Sequence, residues 1–165
     1  MGKQYKLLKR IDGQISQSRP EMIPLHNVQI DARVTKMVQP DSFWVEVDRS
    51  EQMLYLYFNS EIQKAWRVST GRPGGPNLKS MATRPGVYKV YRLYEKYPMW
   101  GRDWWCPDVP WVIWFHGELA IHTAYWHNDF GLPVSHGCVN MAEMDAKELY
   151  SYMKSGRYGT VIWVH

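Results

Sequence analysis

The chain has 165 residues, enough for one domain with a real core, and its 45% hydrophobic and 15% aromatic content excludes a disordered chain. Lys and Arg number 20 against 16 Asp and Glu, a formal charge of +4. The one basic cluster (Lys3, Lys6, Lys9, Arg10) is no stripe of the kind that binds nucleic acid, so the charge argues at most for a weak preference for anionic polymers.

No apolar run approaches the ~20 residues of a membrane span, and Met1 to Arg10 lacks the apolar stretch of a signal peptide. Residues 1–42 read as an arm or linker with one or two strands, broken by Gly13, Pro20, Pro24 and Pro40 around a strand-like run, Val28 to Val38. From Phe43 the texture changes. Phe43 to Asp48 alternates apolar and charged residues, the period of a half-buried strand. A turn at Arg49 to Gln52 leads to a second strand, Met53 to Phe58, and Ala65 to Ser69 reads as a third. The loop Gly71 to Pro76 lacks the Lys-Ser/Thr end of a phosphate-binding loop and reads as a plain connection. Thr83-Arg84-Pro85-Gly86 is turn chemistry before a strand, Val87 to Leu93.

Tyr94 to Pro110 reads as an aromatic loop, because Pro98, Gly101, Pro107 and Pro110 punctuate it. Short strands follow at Trp111 to Phe115 and Leu119 to His122, around a turn at Gly117. Ala142 to Lys154 is the one convincing helix, with Met144, Leu149 and Met153 as its apolar face and Gly156 as its stop. Thr160 to Val164 closes the chain with a strand. Many short strands with one or two helices predict a mainly β sandwich or barrel-like domain.

Chemistry concentrates in Ile121-His122-Thr123 and, after twelve residues beyond His122, Ser135-His136-Gly137-Cys138-Val139-Asn140. A thiol is a strong nucleophile as thiolate, and an imidazole or a helix N-terminus lowers its pKa. Cys138 lies a few residues before the predicted helix and has two histidines nearby in sequence, so it is the expected nucleophile, with either an imidazole or the helix N-terminus lowering its pKa. A thiolate–imidazole pair titrating together predicts a pH–rate profile that rises near neutrality. Gly137 permits a tight turn, and its N–H or that of Cys138 is the expected oxyanion donor. Cys106 reads as a packing residue, His127 as a loop-ordering one and His116 as solvated. Zinc held by His116, His122, His127, His136 and Cys138 is the chemical rival, but no CxxC or HExxH spacing supports it. Whether Cys106 and Cys138 form a disulfide is not legible from sequence.

His-x12-Ser-His-Gly-Cys-Val-Asn is similar to the signature of the L,D-transpeptidase catalytic domain, the YkuD-like family of bacterial cell-wall enzymes. Trp44 to Asp48, Val68-Ser69-Thr70-Gly71, Thr83 to Tyr88 and Val109-Pro110-Trp111 resemble further landmarks of that family in the expected order, so the resemblance spans residues 43–165. It implies a sandwich of mixed sheets with one or two short helices, and a Cys138 thioester made with a donor stem peptide of peptidoglycan and passed to an amine acceptor. It further implies that His122 is the general base of Cys138, that the Thr123 backbone carbonyl orients its imidazole, and that Ser135, His136, Asn140, Tyr125, Trp126 and Trp104 contact substrate. Tyr94 to Pro110 corresponds to the family's variable lid. Carbapenem β-lactams are the implied inhibitors, with no cofactor, no metal and a monomeric chain. The implied setting is the cell envelope, in wall biogenesis and the maintenance of cell shape, although no export signal is visible in this sequence. A hydrolase of stem peptides on the same scaffold and an inactive wall-binding module are the alternatives.

Overall fold

In the computed structural model the described residues are 28–76, 78–102, 104–155 and 159–165, together with the backbone of two short strands, β1 (Tyr5–Leu7) and β2 (Met22–Pro24), which pair antiparallel. The expected helix stop, Gly156, lies outside the described residues. Val28 to Val38 is not a strand. Ala32–Met37 forms a one-and-a-half-turn helix, α1, because the Asp31 side chain accepts the Arg33 N–H at 2.8 Å and Val34, Met37 and Val38 repeat at helical spacing.

Two sheets follow. β3 (Phe43–Asp48), β4 (Met53–Phe58), β5 (Glu61–Arg67), β6 (Gly86–Lys89) and the last strand build a five-stranded sheet, while β7 (Arg92–Trp100), β8 (Trp105–His116), β9 (Leu119–Thr123) and β10 (Val139–Met141) build a four-stranded one. Helix α2 (Glu143–Ser155) then leads to β11 (Val161–Val164), which enters the first sheet parallel to β3 and antiparallel to β6. The strand expected over Val87 to Leu93 is therefore two strands in different sheets, with the chain crossing at Val90 and Tyr91.

Period-2 alternation sorts the side chains. Val45, Val47, Leu54, Leu56, Ile162 and Val164 of the first sheet meet Ile113, Phe115, Ile121, Val139 and Met141 of the second, and Ala146, Leu149 and Met153 of α2 join them in one core. Met144, expected on the buried face, is 73% exposed. On the far face of the first sheet Trp44, Tyr55, Tyr57, Val161 and Trp163 pack with Val34 of α1. The far face of the second sheet carries a small cluster, Met99, Val109, Val112 and Ala120.

The expected loop Tyr94 to Pro110 is a long hairpin instead, closed by the pair Trp100↔Trp105. Its prolines are tolerated because β7 is an edge strand and β9 pairs with β8 only from Ile113 to His116. Beyond that point β8 also has a free edge, where proline is better tolerated than in a strand paired on both sides.

Glu46 is fully buried in the five-stranded sheet. It accepts the Tyr57 hydroxyl on Oε2 at 2.7 Å and His165 Nε2 on Oε1 at 2.7 Å. Glu46→Ala strips both donors of their acceptor, the Tyr57 hydroxyl in the core and the partly exposed His165 ring. It is expected to cost about 3 kcal/mol of stability, measured as the shift in a urea unfolding midpoint.

Candidate active site

Strands β9 and β10 run parallel with Ile121 opposite Val139 and His122 opposite Asn140. Ile121, Val139 and Met141 point into the main core, so His122, Cys138 and Asn140 must emerge on the other face of the sheet. Cys138 is level with Ala120, two residues from His122 on the neighbouring strand. With strands ~4.8 Å apart and a rise of ~3.3 Å per residue, their Cα atoms are about 8 Å apart diagonally, within reach of a Cys–His contact. Both side chains line one cavity of about 920 Å³ beneath the β7–β8 hairpin.

Three separate loops meet under the sulfur. Ser135 Oγ donates to the Cys138 carbonyl at 2.5 Å and accepts the Gly137 N–H at 3.1 Å. Thr83, fully buried, donates its hydroxyl to the Gly137 carbonyl at 2.7 Å and accepts the Gly71 N–H at 2.9 Å. Gly137 has φ +131°, a conformation that favours glycine. The backbone of Gly71 lies against that of Gly137, and a Cβ at position 71 would fall 2.7 Å from the Thr83 nitrogen and 2.9 Å from the Gly137 Cα. The loop Gly71 to Pro76 is thus more than a connection at its first residue. Gly71 and Thr83 stood in segments that resemble family landmarks, but their joint contribution, close backbone approach across a long separation, was not legible there.

The His122 ring is held by Nδ1, which lies 2.8 Å from the Thr123 carbonyl oxygen. A carbonyl only accepts, so Nδ1 carries the proton and Nε2 keeps a free lone pair. Burial pushes the His122 pKa down to about 4, with the nearby His127 adding to the effect and the Thr123 bond opposing it. Burial pushes the Cys138 thiol up to about 11. This reverses the sequence expectation of a low-pKa thiolate. The helix N-terminus cannot help, because β10 carries the chain away from Cys138 before α2 begins at Glu143. The sulfur instead packs against the cluster of Met99, Val109, Val112 and Ala120, with its S–H directed 3.6 Å to the Glu118 carbonyl. At neutral pH both partners are uncharged, and the expected rise of the pH profile near neutrality moves with them.

The expected substrate contacts divide. His136, Trp104, Trp126 and Asn140 line the cavity, with the His136 ring 5.8 Å from that of Trp104 and the His122 ring 5.9 Å from that of Trp126. Ser135 also reaches the wall, but its hydroxyl is used to brace the Gly137–Cys138 segment. Tyr125 does not line the cavity, and its hydroxyl donates to the Pro107 carbonyl at 3.3 Å, tying the loop to the hairpin. The Gly137 N–H is likewise engaged, by Ser135 Oγ.

His127 orders its loop as the sequence reading expects, and it also lines the cavity. Its Nδ1 accepts the Asp129 N–H at 3.1 Å and its Nε2 lies 2.9 Å from the Asn140 side-chain amide. His116 is exposed and stacked on Tyr88, and Cys106 is a free, half-buried thiol packed beside the same apolar cluster as Cys138. Among the described residues no group of three or more His, Cys, Asp or Glu side chains converges as a metal site, and no helix is long and apolar enough to cross a membrane.

The model of the L,D-transpeptidase catalytic domain family (YkuD) matches residues 42–164. No curated protein matches the sequence. Among solved structures, the L,D-transpeptidase LdtMt1 in complex with imipenem superposes with a TM-score of 0.66 at 19% identity, over 76% of this chain and 59% of that one. An L,D-transpeptidase from Mycobacterium smegmatis gives 0.64 at 18% identity, over 75% and 58%. The L,D-transpeptidase (Yku) from Stackebrandtia nassauensis gives 0.61 at 25% identity, over 75% and 55%. The chain spans less than two thirds of each of these proteins. With most of its length matched by the family model and a two-sheet fold shared with such enzymes, the chain belongs to the L,D-transpeptidase catalytic domain family.

Proposed function

We propose that the domain is a cysteine-nucleophile acyltransferase acting on peptidoglycan stem peptides. The observation that supports this most directly is the tautomer of His122. With Nδ1–H fixed on the Thr123 carbonyl, Nε2 is a free base on the same sheet face as Cys138 and in the wall of the same cavity. Nε2 takes the thiol proton as the sulfur attacks the carbonyl of the L-centre residue in the donor stem. The Gly137 amide is occupied by Ser135 Oγ, so the amide of Cys138 is the donor assigned to the oxyanion. The tetrahedral adduct collapses by breaking the bond to D-alanine, whose nitrogen takes the proton back from His122. A thioester on Cys138 remains.

An amine from a neighbouring stem then attacks the thioester, and the product is a crosslink between two diamino-acid residues. His136, Trp104 and Trp126 line the space available to the donor. Such an activity belongs in the cell envelope and in wall biogenesis. Carbapenems are the expected inhibitors, a reading supported by the imipenem complex of LdtMt1, which shares this fold.

Intact-protein mass spectrometry after exposure to a donor tetrapeptide or a carbapenem tests the assignment. Wild type is expected to gain the acyl mass and Cys138→Ala to gain nothing. An unmodified wild type, or a modified alanine variant, would overturn it. If the acyl-enzyme forms but is discharged only to water when excess amine is present, the domain is a hydrolase.

A further inference from the structure

Resting on the acyl-enzyme reading above, a second question is what brings the amine. Among the described residues lining the cavity, Glu118 carries the one carboxylate, while Arg92 and Arg102 supply positive charge from the hairpin side. Glu118 lies in the turn between β8 and β9, next to Gly117 at φ +51°. Its backbone carbonyl takes the Cys138 S–H at 3.6 Å, so the residue abuts the nucleophile. Its side chain is exposed, and no ion pair or hydrogen bond engages its carboxylate among the described residues.

An unpaired carboxylate beside a thiol works against the first half of the reaction, because its negative charge disfavours thiolate; it adds to the raised pKa of Cys138. Its charge is useful only when a cation has to be brought to the same sulfur. The second half of the reaction has that requirement, since a primary amine is mostly ammonium near neutral pH. We propose that Glu118 forms the acceptor subsite, its carboxylate holding a primary ammonium group beside Cys138 and so favouring cationic amines over water and neutral nucleophiles.

The step balances as follows. The bound ammonium loses one proton to solvent by way of the Glu118 carboxylate. The freed lone pair attacks the thioester carbonyl, and the C–N bond forms as the C–S bond breaks. The second amine proton passes through His122 Nε2 to the departing sulfur, which restores the Cys138 thiol. The net reaction of thioester and ammonium gives amide, thiol and one proton.

The test compares wild type, Glu118→Gln and Glu118→Asp with two acceptors, Nα-acetyl-lysine amide, whose side chain is cationic, and hydroxylamine, which is neutral near pH 7. Acyl-enzyme formation is read first by intact mass, then acceptor KM and kcat from the product. Glu118→Gln is expected to raise KM for the lysine amide about fivefold to tenfold, the range of one partly exposed charge-assisted contact, with little change for hydroxylamine. Glu118→Asp is expected to retain most of the preference, and added salt to weaken it in wild type. Unchanged KM for the cationic acceptor in Glu118→Gln, or equal losses with both acceptors, would overturn the subsite while leaving the acyl-enzyme intact. Failure of wild type to acylate at all would overturn both readings.

Discussion

Replacing His122 with alanine is expected to slow acylation of Cys138 by about 10²–10⁴-fold near neutral pH and to change the form of its pH dependence. In wild type the reactive species is neutral imidazole beside neutral thiol. Protonation of His122 removes it below about pH 4, and ionisation of Cys138 reaches one half only at about pH 11. Between those limits the population of the reactive pair is constant. Wild-type kcat/KM for acylation by a carbapenem should therefore be level from about pH 5 to about pH 9, with one acid limb.

Without the imidazole, attack relies on thiolate that solvent produces, about one molecule in ten thousand at pH 7 for a thiol with a pKa near 11. The His122→Ala rate should then climb about tenfold per pH unit through neutrality. Stopped-flow measurement of β-lactam absorbance across the range separates the two cases. A wild-type profile climbing in parallel with the variant would mean that His122 takes no proton.

The second large effect is expected at Gly71, which touches no substrate. A methyl group there overlaps the Met81 carbonyl oxygen and crowds the Thr83 nitrogen and the Gly137 Cα. All three are backbone atoms, so no side chain can swing aside. Gly71→Ala is expected to cost about 3 kcal/mol, or roughly 10 °C in Tm for a domain of this size. It should also reduce acylation, because the displaced segment is the one that carries Gly137 and Cys138. Gly75→Ala is the control. A Cβ there meets nothing nearer than the Leu78 Cβ at 4.0 Å, and the expected change is within about 0.5 kcal/mol. Thermal unfolding followed by circular dichroism measures both, and equal midpoints for the two variants would contradict the packing argument.

Cys138, His122 and the Thr123 carbonyl, the residues to which the proposal gives catalytic roles, were legible in the sequence as a short spaced motif, and the structure places His122 on that carbonyl and in one cavity with Cys138. The strands Phe43–Asp48 and Met53–Phe58 were legible for a similar reason, since alternation is a local signal. What escaped notice depends on partners far away. Pro98, Pro107 and Pro110 suggest a loop until it is known that β7 is an edge strand and that β8 outruns β9. Gly71, Thr83 and Gly137 form one joint drawn from three segments, and only the folded chain shows that they meet. The direction of the Cys138 shift is not legible in the motif, which shows neighbouring histidines but not the apolar side chains that pack around Cys138. The loop-ordering role of His127 is local and was legible, whereas its place in the cavity depends on Asn140, thirteen positions on.

The protonated resting thiol has one more consequence. Peroxides and simple alkylating agents attack thiolates, and sulfenic acid formation follows thiolate character. A sulfur that keeps its hydrogen through most of the biological pH range is a poor target for such reagents. On the proposed mechanism Cys138 is thus expected to stay chemically quiet until a bound carbonyl accepts the electrons while His122 removes the proton.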